Sequence, residues 1–163
     1  MRKANRLVEL EDLLSSNFFR DQESLITAVL KGHLTLEAIL VELIQIKNPI
    51  EKVWKWPFPK KTQFLVDNNL IFEGHKDAYD SFNEFRNDFS HIFDHQVNLR
   101  QVLDFAKQLE QFGIAFSDSV GHYSEAEAIN NYEGIDGVIA EIIWCLLFEA
   151  ANSLMEAGGR NIF

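Results

Sequence analysis

Apolar residues return every three or four positions along most of this chain, which is the spacing of amphipathic helices rather than of strands. Leu7, Leu10, Leu13 and Leu14 predict a first helix over residues 5–18. Asp21 and Ser24 offer polar N-caps for a second, longer helix reaching about Gln45, with Ile26, Leu30, Leu40 and Ile44 as its apolar face. Asn48-Pro49 ends it, because proline disfavours helical backbone at the residue before it. Residues 50–59 read as a connector with at most one helical turn. Residues 60–71 read as a short helix built on Phe64, Leu65, Leu70 and Ile71, with Gly74 as its terminator. Tyr79, Phe82, Phe85 and Phe89 predict a helix from about His75 to His91, and Val102, Leu103, Phe105, Ala106, Leu109 and Phe112 another over residues 97–116. A polar stretch at 117–133 leaves room for one short helical piece at 125–129. Residues 134–157 form the most apolar helix, whose Glu141, Glu149, Asn152 and Glu156 fall on one stripe and leave the rest for burial. No internal repeat or linker interrupts the pattern. The expectation is an all-α single domain spanning 1–163, a helical bundle of five or six helices.

Composition sharpens this picture. In 163 residues, 47% are hydrophobic and fourteen are Phe, enough for a sizeable core. The net charge of −10 gives no general attraction for phosphate backbones, so any nucleic-acid contact must come from a local patch. Lys52, Lys55, Lys60 and Lys61, interleaved with Trp54, Trp56 and Phe58, form one such patch; its ordinary reading is a solvated surface with amphipathic aromatics. The lone Cys145 lies in the apolar run 142–148 and reads as a buried structural thiol. The first residues, Met1-Arg2-Lys3-Ala4, lead into a segment carrying Glu9, Glu11 and Asp12, unlike the apolar region of a signal peptide. No run of about 20 uninterrupted apolar residues is present, so a soluble, cytoplasmic protein with no membrane contact is expected by elimination.

Two constellations carry the candidate chemistry. At about 100° per residue, His33 and Glu37 point in nearly the same direction as Ile26, Leu30, Leu40 and Ile44, placing two polar groups within an apolar face. Such groups either pair with each other or with nearby backbone, or they line a site. The second constellation is Arg86-Asn87-Asp88-Phe89-Ser90-His91. Arg86 and His91 diverge by about 140° on a straight helix, whereas Asn87 and His91 share a face, so that Asn87 can orient the imidazole. A metal site is an alternative: His33 with Glu37, and His91 with His95, each have the four-residue spacing of helical ligands, though no Glu-x-x-His signature accompanies them.

In this RNDFSH stretch the chain resembles the HEPN family, small helical bundles carrying an R-x(4–6)-H motif that often begins Arg-Asn. The resemblance extends over about residues 24–95, through the polar inner face of GHLTLE (32–37) and the aromatic-lysine connector FPKK (58–61). It implies a metal-independent endoribonuclease without a cofactor, acting on RNA as a toxin or defence component. Arg86 and His91 would be catalytic, holding the phosphate and serving as general acid/base; Asn87, His33 and Glu37 would support them. The family pairs two motifs across a homodimer, and a protein partner or antitoxin is implied. Where some toxin members have a tyrosine two residues after the histidine, this chain has Phe93. A different class of reading is a non-catalytic dimerisation or regulatory module similar to the mannitol-operon repressor family, acting through a protein partner; a basic partner or antitoxin would suit the acidic surface.

Overall fold

A computed structural model of the chain describes residues 23–91 and 96–163, His91 by its backbone alone, so the helix predicted over 5–18 lies outside the described residues. Among those residues there are six α-helices and no strand: α1 (Glu23–Lys47), α2 (Phe58–Asp67), α3 (Glu73–His91), α4 (Leu99–Gln111), α5 (Glu125–Tyr132) and α6 (Ile135–Glu156). Short 3-10 turns at Val53–Lys55 and Val120–His122 punctuate the connections. The all-α bundle read from the periodicity is therefore the architecture observed.

The bundle is built on α1 and α6, which share the most extensive helix–helix contact. Leu25, Val29, Leu36, Leu40 and Ile44 from α1 meet Val138, Ile142, Leu146, Ala150 and Leu154 from α6, all buried and repeating at helical intervals. The buried face of α1 is rotated from the predicted one: Ile26 and Leu30 are only half-buried, while Leu25, Val29 and Leu36 are enclosed. The cause is that α1 packs against three neighbours, α6, α2 and α3, so its buried stripe is wide. Both α1 and α6 are long and apolar enough to cross a membrane by length and composition, with mean hydropathies of 1.5 and 1.6, which the search for an uninterrupted apolar run missed. The central helices of a bundle meet the same criterion, and these two are packed on each other.

Local chemistry sets the helix ends. Asn98 and Ser124 each form a reciprocal capping box, with Gln101 and Glu127 respectively. Helix α2 stops at Asp67, not at Ile71. Asn69 adopts a left-handed conformation (φ 55°), and Leu70 N–H returns to the Leu65 carbonyl at 2.8 Å, a six-residue closure that ends the helix and still buries Ile71. Gly74 is not a terminator but part of the first turn of α3. A Cβ there would stand 2.3 Å from the Phe112 carbonyl oxygen, so glycine allows the start of α3 to lie against the end of α4.

The polar stripe predicted on α6 does not account for all its exposure: Trp144, Phe148 and Met155 are about half exposed. Trp144 and Phe148 cluster with Phe163 at ring separations of 5.6 and 4.5 Å, and the C-terminal segment is fastened by two Arg160–Glu42 hydrogen bonds of 2.8 and 2.9 Å. Cys145 is buried as expected, and burial pushes its thiol pKa up to about 12. The Gly74→Ala substitution should destabilise the fold by about 1–3 kcal/mol, because the obstruction is backbone and cannot swing aside; the midpoint of urea unfolding measures it.

Candidate functional site

The polar residues of the inner face gather where α1, α2 and α3 meet. His33 is buried, with 4% of its surface exposed. It does not pair with Glu37. Its Nε2 lies 2.9 Å from Asn83 Oδ1 on α3, and its ring sits 4.8 Å from that of Phe58 at the start of α2. An amide oxygen only accepts, so Nε2 carries the proton and Nδ1 is left as an acceptor, buried and without a partner. Burial lowers the His33 pKa below its ordinary value, and the positive charge of Arg86 pushes the same way, outweighing the Asn83 hydrogen bond.

Glu37, one turn further along α1, is held by a group the periodicity placed in solvent. Lys61 is fully buried. Its Nζ donates to Glu37 Oε1 at 2.6 Å, to the Trp56 carbonyl at 2.6 Å and to the Trp54 carbonyl at 3.4 Å. All three ammonium protons are thereby directed at oxygens, the condition under which a lysine is tolerated in a core. The patch read as ordinary solvated surface is thus divided: Lys61 and Phe58 face inward, while Lys52, Lys55, Lys60 and Trp54 face outward. Lys60 Nζ rests 4.4 Å from the centre of the Trp56 ring, a cation–π contact.

Arg86 and Asn87 occupy the last turns of α3. Arg86 Nη1 donates to Asn87 Oδ1 at 3.0 Å, so Asn87 is engaged with its neighbour. Arg86 is half-buried, its Nε is buried without a partner, and among the described residues it forms no ion pair. A cation this enclosed without a carboxylate is unusual, because desolvation is uncompensated. His91 closes α3; its side chain and residues 92–95, with Phe93 and His95, lie outside the described residues, as does the predicted pairing of Asn87 with His91.

The structure therefore bonds His33 to Asn83 within reach of the Arg86, Glu37 and Lys61 charges, and gives the Glu37 carboxylate to Lys61. Sequence reasoning missed Asn83 and missed the inward turn of Lys61. Asn83 was detectable as a polar residue between Phe82 and Phe85, one turn before Asn87. Among the described residues no group of three or more His, Cys, Asp or Glu is placed to hold a metal ion, and the Glu37 carboxylate is occupied by Lys61.

Surface concavities lie elsewhere among the described residues. One of about 480 Å³ runs between α3 and α4 over Phe85, Phe105 and Phe112, rimmed by Asp77, Glu84 and Asp88. Arg86 points about 160° away from Glu84 and Asp88 around α3. Another, of about 710 Å³, lies beside Trp144, Phe163 and Arg160. No family model, no curated protein and no solved structure matches this chain.

The lowered pKa of His33 makes a pH prediction. The folded state holds a neutral imidazole, so the unfolded chain binds more protons as pH falls below 6.5, the ordinary value. The stability associated with neutral His33 should be fully present above pH 6.5 and decline below it, toward the lowered folded pKa. Unfolding free energies between pH 5 and about 7 should fall more steeply in the parent chain than in His33→Gln.

Proposed function

We propose that the chain is a cytoplasmic, metal-independent endoribonuclease of the HEPN type, working as a homodimer. The observation that carries this reading is Arg86: a half-buried guanidinium near the end of α3 that has, among the described residues, no carboxylate to neutralise it and a buried Nε without a partner. A positive charge kept in that state suits an anionic ligand, and the planar fork of arginine suits a phosphate. His33, whose pKa is lowered by burial and by the Arg86 charge, adds no competing positive charge.

In the proposed reaction the 2′-hydroxyl of one nucleotide attacks the adjacent phosphorus. The P–O5′ bond breaks, giving a 2′,3′-cyclic phosphate and a free 5′-hydroxyl. His91, whose imidazole type titrates near neutral pH, is assigned the proton transfers. Arg86 is assigned the charge that develops on the non-bridging oxygens, and Asn87 holds the guanidinium through its 3.0 Å hydrogen bond. A homodimer suits the angular separation of Arg86 and His91, because the arginine of one protomer can serve the histidine of its partner.

The exposed Trp144–Phe148–Phe163 cluster favours a second reading, a non-catalytic interaction module. Cleavage of total RNA and tRNA in EDTA separates the two. The nuclease reading expects cyclic-phosphate ends from the parent chain, a drop of about 10²–10⁴ in rate for His91→Ala, and one of about 10²–10³ for Arg86→Ala. Folded parent protein that leaves both RNAs intact would replace it with the interaction module.

A further inference from the structure

The connector at 50–60 is more ordered than its role as a link between two helices requires. Val53 is completely buried and fixes the 3-10 turn from below. Lys52 before it takes a left-handed conformation (φ 63°), which residues with a Cβ rarely adopt. From beneath, the buried Lys61 ammonium binds the carbonyls of Trp54 and Trp56 and the Glu37 carboxylate. What this anchoring displays is a large apolar side chain: Trp54 is 61% exposed. Within the same segment Lys52, Lys55 and Lys60 are exposed, Lys60 resting over the Trp56 ring, and Glu51 is the one acid of the sequence 50–60, in a chain whose net charge is −10.

We propose that this turn is a binding platform for single-stranded RNA, with a base stacked on Trp54 and neighbouring phosphates on Lys52, Lys55 and Lys60. The assignment of RNA as the ligand rests on the nuclease reading; the platform itself rests on the geometry of the turn. An exposed indole with flanking cations is the combination that holds single strands without base-specific hydrogen bonds. Through buried side chains the turn is tied to the polar cluster on which the Arg86 charge acts. Phe58, three residues after Lys55, packs on His33, and His33 is bonded to Asn83 one turn before Asn87. A lipid surface would call for a continuous apolar stripe, and the turn presents one large apolar side chain among cations. The local positive charge also explains how a chain of such acidity engages a polyanion: attraction is confined to one turn, and the remaining surface repels a strand laid elsewhere.

The test uses the full chain and a fluorescently labelled 2′-O-methyl uridine 12-mer, which has no free 2′-hydroxyl and so reports binding apart from cleavage. Anisotropy should show binding that Trp54→Ala weakens about ten- to a hundredfold and that Trp54→Phe largely restores. Replacing Lys52, Lys55 and Lys60 together with Gln should reduce the slope of log affinity against log salt by about 2. Circular dichroism checks that these exposed substitutions leave the helices intact. Binding that ignores both Trp54 and the lysines overturns the platform, as does absence of binding. Trp54-dependent attachment to phosphatidylserine vesicles without oligonucleotide binding overturns it in favour of a lipid contact. Platform-dependent binding without cleavage of unmodified RNA would remove the nuclease reading and leave the platform standing; cleavage without platform dependence would do the reverse.

Discussion

The Lys61 ammonium is the interaction on which the arrangement of α1, α2 and the intervening turn depends. Hydrophobic packing alone brings those elements together with no strong preference for how the turn between them runs. A buried charge is more demanding, because its desolvation is offset only when every proton meets an oxygen in good geometry. Here one carboxylate and two main-chain carbonyls meet it from three directions. Withdrawing any of them leaves a charge or a carbonyl stranded in the core. Satisfying the ammonium therefore selects one path for the turn, and that path places Phe58 against His33 and Trp54 in solvent.

A second charge stands in contrast. Arg86 is half-buried like Lys61's partner Glu37, yet among the described residues its guanidinium meets an amide oxygen and no carboxylate. The two cations lie around the same polar cluster and are treated differently. One is neutralised and tied to backbone, which suits a structural role. The other is held by Asn87 and meets no carboxylate among the described residues, which is why the proposed chemistry is centred on it. His33 lies between these regimes, kept neutral by burial and by Arg86.

Much of the fold was legible in the sequence, because helical burial imposes a periodicity that single residues rarely disturb. The ends of α1, α3 and α6 fell close to prediction, and Asn48-Pro49 marked the first break correctly. The errors were of other kinds. Gly74 reads as a stop in the sequence, but whether this glycine ends a helix or admits a neighbour depends on Phe112, some forty residues away. The end of α2 was set by Asn69 turning left-handed, a choice between local conformations that apolar spacing does not encode. At the site, the oddity of His33 and Glu37 on an apolar face was visible, but their partners were not. Asn83 and Lys61 lie 50 and 24 residues away in sequence, and only the packing of α2 and α3 on α1 brings them within hydrogen-bonding distance. The inward turn of Lys61 was invisible because lysine is so seldom buried that composition argues against it.

The way the 50–60 turn is fastened has an evolutionary consequence. Lys61 grips the carbonyls of Trp54 and Trp56, and carbonyls belong to every residue alike. The shape of the turn is thus specified by main chain and by the inward-facing Val53, while the side chains of Trp54 and Lys55 point outward. Those positions are free to drift without unfolding the turn. A mutation there changes what the protein displays and leaves how it is built untouched, the separation that lets one scaffold be retuned toward new ligands.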